Sequence, residues 1–214
     1  MKFAIFDVDL TITRKDTLIE FYKFLCSYDK RFLIYASKAI HSGVMYALKF
    51  YDEKKSKEQF LSFLNGLSVE AVRELSKIYY EQRIVHDLIY EDAIDEINKR
   101  KSEGYKVILI SASPEFYLNN FNELDCIDCV LGTRYEVEDG VYTGKIIGNN
   151  NKGMEKVYRF YEYLYKNGIR DYDLQNSCMY SDSLSDMPLF NLVGNKFLIN
   201  SKKNVENILN LKWN

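Results

Sequence analysis

The sequence of 214 residues predicts an α/β fold in which an all-helical insertion interrupts a doubly wound parallel sheet. The short runs "FAIF" and "VILI" contain no alternating polar residues, as is typical of parallel strands that are covered on both faces. Between these runs, residues 16 to 83 show only helical periodicity. After residue 113, strand and helix patterns alternate regularly, which favours right-handed crossovers in one sheet.

The elements of the first half are predicted from the spacing of apolar residues. A buried strand covers residues 3 to 6, and helices follow it up to about residue 83. Ser68 is placed to cap an amphipathic helix in the segment "SVEAVREL". The other apolar residues at helical spacing are Leu18, Phe21, Tyr22, Leu25, Phe60, Phe63, Leu64 and Leu67.

The second half shows strands and helices in turn. A helix in "DAIDEINKRKSEG" ends at Gly104, since glycine favours the position after a helix C-terminus, and "YKVILI" is a second buried strand. Asp139-Gly140 lies between two alternating runs and predicts a β-hairpin. The remaining predicted elements are a helix near 115 to 122, a strand near "CVLG", a helix near 153 to 166, a strand near "SCMYS" and a last strand "KFLIN".

Composition excludes some classes of partner. A chain of this length removes roughly 70% of its unfolded surface from water on folding, which is enough for one large core. The sequence has 29 basic and 31 acidic residues, and they are interspersed, so we expect no nucleic-acid partner. Among the four cysteines, the pair Cys126 and Cys129 lacks the second pair that a zinc site needs, and we expect reduced thiols.

Two features bear on membranes and cellular location. The chain enters a predicted strand without a charged leader and apolar block, which indicates a cytoplasmic protein. The apolar stretch from residue 32 to residue 51 is interrupted by Lys38, His41 and Lys49. We therefore expect a buried or amphipathic helix there, and no stable insertion into a membrane.

Polar side chains follow three of the predicted strands. Asp7 and Asp9 come after the first strand, Ser111 after the second, and Asp182 and Asp186 after "CMYS". The carboxyl ends of parallel strands lie at one edge of a sheet, where ligands of such folds bind. Two carboxylates as close as Asp7 and Asp9 repel each other unless a cation or a shared proton is present. The pattern therefore indicates a metal-dependent site.

The order of these motifs resembles that of the haloacid dehalogenase-like hydrolases. It consists of DxDxT from Asp7, a strand that ends in Ser111, Lys152 in "NNNKGMEKV", and DxxxD from Asp182. The inserted helices are similar to the helical cap of the phosphoserine phosphatase branch, subfamily IB. The resemblance covers nearly the whole chain, and it implies Mg²⁺-dependent hydrolysis of a small phosphate monoester.

The resemblance also implies a division of the chain. Residues 1 to 13 and 91 to 214 are expected to form a Rossmann-like α/β core, and residues 14 to 90 the helical cap.

The resemblance implies catalytic roles for two aspartates. Asp7 is expected to be the nucleophile that forms an aspartyl-phosphate, which splits one difficult displacement into two easier ones. Asp9 is expected to protonate the leaving alkoxide and later to deprotonate water. The expected Mg²⁺ ligands are the carboxylates of Asp7 and Asp182 and the backbone carbonyl of Asp9.

Other residues are expected around the phosphate. Thr11, Ser111, Ala112 and Lys152 are predicted to contact phosphoryl oxygens and so to stabilise the transferring group. Asp186 is predicted to orient Lys152 or a metal-bound water.

Two positions differ from the phosphoserine phosphatases. Asp16 stands where they have a glutamate, and Phe60 stands where they have a cap arginine. An arginine pairs with a substrate carboxylate through two hydrogen bonds, and a phenyl ring cannot. We therefore expect Asp16 and Phe60 to affect specificity, and the substrate to be the phosphate of a less charged or more apolar alcohol than serine.

Two alternatives stay open. A phosphotransferase of the same fold passes the phosphoryl group to an alcohol instead of water. A non-enzymatic phospho-acceptor that resembles response-regulator receivers also has acidic residues and a lysine on a doubly wound sheet. In receivers, however, the phosphorylated aspartate follows the third strand, and there is no cap.

Overall fold

The computed structural model describes residues 1 to 214. The strands are β1 (Phe3–Phe6), β2 (Lys106–Pro114), β3 (Cys129–Thr133), β4 (Tyr135–Glu138), β5 (Val141–Ile146), β6 (Cys178–Ser181), β7 (Asn195–Ile199) and β8 (Leu209–Leu211). The α-helices are α1 (Thr17–Tyr28), α2 (Ala36–Ala47), α3 (Glu53–Phe60), α4 (Val69–Tyr79), α5 (Glu91–Ser102), α6 (Glu115–Leu118), α7 (Met154–Lys166) and α8 (Met187–Phe190). Turns of 3₁₀ helix occupy Lys30–Tyr35, Ser62–Leu64, Asn119–Glu123 and Leu184–Asp186, and a π-helix spans Tyr80–Leu88.

Six strands form one parallel sheet in the order β3-β2-β1-β6-β7-β8. This confirms the predicted doubly wound α/β fold. β1 lies inside the sheet between β2 and β6, so the three strand ends that carry the predicted site are neighbours. The sequence does not predict β8, because its three residues, Leu-Asn-Leu, are too few to show a periodicity.

Both faces of the sheet are buried, as the uninterrupted apolar runs predict. Ala4 and Phe6 of β1 belong to a cluster of 32 buried apolar residues on one face, and Phe3 and Ile5 belong to a cluster of 14 on the other. Successive side chains of a strand point to opposite faces, which explains this alternation. Helix α7 covers the second face, where Phe160 packs edge-on against Phe3 with ring centroids 5.2 Å apart.

The chain leaves the sheet after β1 and returns along an adjacent path. The N–H of Arg14 donates to the carbonyl of Leu88 at 2.7 Å, and the N–H of Tyr90 donates to the carbonyl of Ile12 at 2.9 Å. All regular elements from α1 to α5 are helical. The two connecting segments therefore lie side by side at the limits predicted for the cap.

The inserted helices share a core with the sheet. Phe21 of α1 packs against Tyr79 of α4 and Tyr117 of α6, with ring centroids 5.1 and 5.2 Å apart. All three rings are buried and belong to the same cluster as Phe6 of β1. The hydrophobic effect therefore holds the insertion against the sheet as well as holding its helices together.

Three local predictions are confirmed. The Ser68 hydroxyl accepts a hydrogen bond from the N–H of Ala71 at 3.1 Å and so caps α4. Gly104 follows α5 with a φ of 79°, the left-handed conformation that glycine adopts without strain. Asp139 and Gly140 both have positive φ, 48° and 78°, as a two-residue hairpin turn requires.

The apolar stretch at residues 32 to 51 forms a 3₁₀ turn followed by α2. No helix in the structure combines the length and the apolar character that a membrane span requires. Of the two predicted alternatives, the structure excludes a buried helix and agrees with an amphipathic one, because only Ala39 and Ser42 of α2 are buried. Helical spacing predicts the helix, but it does not predict which face of the helix meets the core.

The four cysteines are free thiols. Burial and the nearby Glu115 carboxylate raise the pKa of Cys129 to about 11, and burial also raises the pKa of Cys126. Both side chains are therefore protonated at neutral pH, in a form that is neither nucleophilic nor ready to bind a metal.

Candidate active site

The carboxyl ends of β1, β2 and β6 surround a cleft of about 220 Å³. This arrangement follows from the sheet order, which makes the three strands neighbours. The predicted residues that line the cleft are Asp7, Asp9, Asp16, Ala112, Lys152, Asp182 and Asp186. Thr11 and Ser111 lie behind its wall and are fully buried.

Asp7 forms a buried ion pair at the end of the central strand. The Lys156 ammonium donates to Asp7 Oδ1 at 2.7 Å and to Asp186 Oδ2 at 2.8 Å. The Ser181 hydroxyl donates to the same oxygen of Asp186 at 2.8 Å. Lys156 is thus fixed between two carboxylates by charge-assisted hydrogen bonds.

The lysine beside Asp7 is Lys156 and not the predicted Lys152. Lys152 Nζ lies 3.0 Å from Glu53 Oε1 of α3, in a half-exposed ion pair at the rim of the cleft. The predicted contact between Asp186 and Lys152 is therefore wrong, and Lys156 makes that contact. The physical reason is that α7 begins at Met154, so Lys152 precedes the helix while Lys156 faces inward from its first turn.

A sequence signal for Lys156 exists. Lys156, Phe160 and Leu164 are spaced by four residues and therefore share one helix face, and all three are buried. A lysine on an apolar face is rarely buried without a partner, so its position in this series points to a carboxylate inside the fold.

Both oxygens of the Asp9 carboxylate are hydrogen-bonded. Its Oδ1 accepts from the backbone N–H and the hydroxyl of Thr17, at 2.7 and 2.6 Å. Its Oδ2 accepts from the Ser113 hydroxyl at 2.6 Å and from the Ser111 hydroxyl at 3.3 Å. Four donors therefore fix the orientation of the side chain predicted to move protons.

Ser113 is not among the site residues predicted from the sequence, although it lines the cleft. The pairing of β2 with β3 shifts register between Ile110 and Pro114, which marks a β-bulge. The amide of Asn151 donates to the Ser111 carbonyl at 3.0 Å in this irregular segment. The spacing of Ser111 and Ser113 in "SAS" is a usable signal, because residues two apart in a strand share a face.

Three backbone N–H groups of the loop after β1 donate to the same backbone carbonyl. The oxygen of Val8 accepts from the N–H groups of Thr11, Ile12 and Thr13 at 2.8 to 3.2 Å. This turn requires a φ of 59° at Leu10, a left-handed conformation that is strained for a leucine. The fold therefore stores backbone strain next to Asp9.

Thr11 connects this loop to the end of β6. Its hydroxyl accepts from the N–H of Asp182 at 2.9 Å and lies 3.5 Å from Asp182 Oδ1. Thr11 therefore positions Asp182, and its hydroxyl does not face the cleft in this structure.

Electrostatics in the cleft favour a cation. Burial raises the pKa of Asp7 to about 8, with the charges of Asp186 and Asp9 adding to the effect and Lys156 opposing it. Burial and the Asp186 charge raise the pKa of Asp182 to about 6. Burial alone lowers the pKa of Lys156, but its two carboxylate partners outweigh this and raise it. The carboxylates outnumber the buried ammonium, and a further positive charge would stabilise their ionised forms.

The donor set fits Mg²⁺. No three His, Cys, Asp or Glu side chains converge closely enough to hold a metal ion by themselves. The predicted set needs only two carboxylates, from Asp7 and Asp182, because Asp9 would contribute its backbone carbonyl, and its carboxylate is occupied by Thr17 and Ser113. Mg²⁺ commonly binds to one or two carboxylates and keeps several waters.

The inserted helices supply a second lysine to the site. Lys57 of α3 donates to the carbonyl of Ala112 and to Oδ1 of Asn150, both at 2.8 Å. Burial lowers its pKa, while the charges of Glu53 and Asp9 oppose this shift. Lys57 therefore ties α3 to the bulged end of β2, a contact that the sequence does not predict.

Asp16 and Phe60 lie on the side of the insertion. The Asp16 carboxylate caps α1 by accepting from the N–H groups of Leu18 and Ile19, both at 3.0 Å. Burial and the Asp9 charge raise its pKa. Phe60 packs edge-on against Tyr22, and with Asp16 it lines a neighbouring cavity of about 340 Å³.

Comparisons with known proteins agree with this architecture. The chain is 27% identical to the phosphoserine phosphatase SerB1 of Mycobacterium tuberculosis over 206 residues, 92% of this chain and 64% of SerB1. It is 25% identical to the histidinol-phosphatase of Neisseria meningitidis over 207 residues, 95% of this chain and 92% of that protein. A solved structure of a substrate-bound phosphoserine phosphatase shares the fold, with a TM-score of 0.65 at 20% identity, covering 98% of this chain and 92% of that one.

The chain spans slightly less than two thirds of the length of the mycobacterial relatives. Residues 4–191 match the haloacid dehalogenase-like hydrolases, and this stretch includes every strand end of the site. The chain therefore belongs to the haloacid dehalogenase-like hydrolase family.

Proposed function

We propose that this protein hydrolyses a small phosphate monoester through an aspartyl-phosphate on Asp7, with Mg²⁺ as cofactor. The observation that carries the proposal is the position of the Asp7 carboxylate, which lines the cleft at the end of the central strand. There it contacts the Lys156 ammonium at 2.7 Å and shares the cleft with Asp182. A carboxylate nucleophile of this kind needs neighbouring positive charge, because the phosphate ester is an anion.

The two half-reactions use the same pair of aspartates. An oxygen of Asp7 forms a bond to phosphorus as the bond from phosphorus to the ester oxygen breaks, and the leaving alkoxide takes a proton from Asp9. Water then gives a proton to Asp9, and the water oxygen attacks the phosphorus as the bond between phosphorus and the Asp7 oxygen breaks. This releases inorganic phosphate and restores the Asp7 carboxylate.

The neighbouring groups neutralise and orient the phosphoryl group. Asp7, Asp182 and the Asp9 carbonyl would hold Mg²⁺, which would supply positive charge to phosphoryl oxygens. Lys156 takes over the role proposed for the phosphate-site lysine, since Lys152 is paired with Glu53. We assign the backbone of the bulge at Ala112 and Ser113, which line the cleft, to the remaining phosphoryl oxygens.

The relatives support the class of substrate. The names of the two curated relatives describe phosphatases that act on phosphoserine and on histidinol phosphate, and both substrates are small phosphate monoesters. Nothing in the site favours transfer to an alcohol over transfer to water. The receiver alternative requires a phosphorylated aspartate after the third strand and no cap, whereas Asp7 follows β1 and helices fill the next segment.

The test of the proposed function is a screen of phosphate monoesters with and without Mg²⁺. We expect release of inorganic phosphate that requires Mg²⁺ and is lost with a chelator. Phosphorylation of added alcohols is measured in the same samples. An acceptor product in excess of free phosphate would identify a phosphotransferase, and stable phosphorylation without turnover would identify a phospho-acceptor.

Asp9→Asn is expected to slow turnover by about 10²- to 10⁴-fold, the usual contribution of a general acid or base. The amide oxygen can still accept from Thr17, and the Ser113 hydroxyl can rotate to accept from the amide nitrogen, so the variant should fold and retain affinity for Mg²⁺. Steady-state phosphate release and a Mg²⁺ titration check both expectations. Unchanged turnover would mean that another group moves the proton.

The substrate proposal depends on Phe60. We expect wild-type kcat/KM to be higher for phosphates of neutral alcohols than for phosphoserine, because a phenyl ring cannot pair with a carboxylate. Phe60→Arg should raise kcat/KM for phosphoserine by about ten- to a hundredfold, since a charge-assisted hydrogen bond contributes roughly 1.5 to 3 kcal/mol. The control is Gln59→Arg, which adds the same charge at an exposed neighbour. The proposal fails if phosphoserine is already the best substrate of the wild type.

A further inference from the structure

Helix α2 presents an apolar face to solvent. Ile40 and Val44 are one helical turn apart and are 69% and 50% exposed. They lie on the side of α2 away from the two buried residues, Ala39 and Ser42. The flanking segments add four exposed apolar side chains: Leu33 (51%), Ile34 (71%), Leu48 (60%) and Phe50 (70%). Such a group of exposed apolar residues marks an interaction surface rather than the usual scatter of single ones.

The same part of the chain is basic. Residues 30 to 55, the α2 segment, contain six lysines and arginines and two acidic residues, a net charge of +4 in a chain whose net charge is −2. The basic residues are Lys30, Arg31, Lys38, Lys49, Lys54 and Lys55. One ion pair of each sign crosses the border of the segment, since Glu53 is paired with Lys152 and Arg31 is paired with Asp29, so these pairs leave the net charge unchanged. The rest of the protein therefore carries the excess of negative charge.

Charge decides between two possible partners for this surface. A symmetric dimer through the α2 segment would place its basic residues opposite the same residues of the second copy, and like charges across an interface oppose association. An anionic lipid surface satisfies both features, since its acyl boundary accepts apolar side chains and its head groups attract lysine and arginine.

We propose that the α2 segment docks this protein on an anionic lipid bilayer. Ile40, Val44 and Leu48 enter the boundary between head groups and acyl chains. The basic residues whose side chains have no ion-pair or hydrogen-bond partner in the protein, Lys30, Lys38, Lys49 and Lys55, contact lipid phosphates. Phe50 adds an aromatic side chain, a type that membrane surfaces accommodate well. The helix lies on the bilayer without crossing it, which agrees with the lack of a helix able to span a membrane.

Docking in this way brings the active site close to the lipid. Ala39, Gly43 and Tyr46 of α2 line the cavity of about 340 Å³ on the inner side of the helix. That cavity shares Asp16 and Lys57 with the catalytic cleft. One helix thus separates the proposed lipid contact from the space next to the cleft, and the proposal stands independently of the chemistry at Asp7.

Vesicle flotation with the full chain tests the proposal. The probes are vesicles of equal parts phosphatidylcholine and phosphatidylglycerol, and vesicles of phosphatidylcholine alone. We expect the protein to float with the anionic vesicles at low salt, to bind less at high salt, and to stay unbound with the neutral ones. The double variant Ile40→Glu, Leu48→Glu should bind the anionic vesicles at least about tenfold more weakly, because it places two carboxylates on the inserted face.

The matched control is Tyr165→Glu, which adds a carboxylate at a side chain of α7 that is 88% exposed. It should bind like the wild type, and circular dichroism should show that all variants are folded. Failure of the wild type to bind anionic vesicles overturns the proposal, and so does equal binding by the double variant. A dimer in analytical ultracentrifugation that the double variant disperses would assign the surface to a second copy instead.

Discussion

Asp7→Asn is expected to abolish phosphate release while the protein stays folded. The amide is a poor nucleophile and a weaker metal ligand, so both proposed roles of the side chain are lost. The fold should survive, because the substitution keeps the shape of a residue whose neighbours Phe6 and Val8 carry the packing. The measurement is phosphate release in the presence of Mg²⁺, with thermal unfolding as the check on structure.

Asp125→Asn, remote from the cleft in the sequence and absent from its lining, is the matched control and should keep full activity. Wild-type turnover by purified Asp7→Asn would show that Asp7 is not the nucleophile. A variant that fails to fold gives no information on catalysis, so Asp7→Glu serves as a second one. It keeps the charge but moves the carboxylate by one methylene, and it should lose most of its activity because near-attack geometry is lost.

Lys156→Met is expected to have the second largest effect, on both stability and activity. The substitution leaves Asp7 and Asp186 buried without their shared cation. Removing one partner of a buried ion pair costs about 3–5 kcal/mol of unfolding free energy. Turnover should also fall strongly, since the charge beside the proposed nucleophile is gone.

Lys152→Met provides the comparison. Its ion pair with Glu53 is half exposed, and such pairs contribute about 0–1 kcal/mol. Urea denaturation and phosphate release, measured on both variants, distinguish the two lysines. A larger loss of activity in Lys152→Met than in Lys156→Met would identify Lys152 as the phosphate-site lysine, as the sequence predicts. That outcome would contradict the assignment of this role to Lys156.

The convergence of the site can be predicted because it depends on strand order. Asp7, Ser111 and Asp182 each follow a strand that is recognisable by its apolar run, and parallel strands end at the same edge. The choice between Lys152 and Lys156 depends instead on where α7 begins, and helix boundaries are the least certain part of any pattern. The two lysines are four residues apart, and the start of α7 decides which of them contacts Asp7.

Other features depend on contacts between distant segments. The hydrogen bonds from Thr17 and Ser113 to Asp9 join an inserted helix and a bulged strand, and no local pattern specifies either. The packing of helix α2 cannot be predicted from its local sequence either. Its apolar spacing predicts a helix, but the side that meets the rest of the protein carries Ala39 and Ser42, and the apolar Ile40 and Val44 are exposed.

Detection of the covalent intermediate tests the central claim most directly. The protein is mixed with a good substrate and Mg²⁺, quenched in acid and reduced with borohydride, and its peptides are analysed by mass spectrometry. Reduction of an aspartyl-phosphate yields homoserine, so the account predicts homoserine at position 7, absent without Mg²⁺ and absent in Asp7→Asn. Steady phosphate release with no modification at position 7, or with the modification at another aspartate, would contradict it.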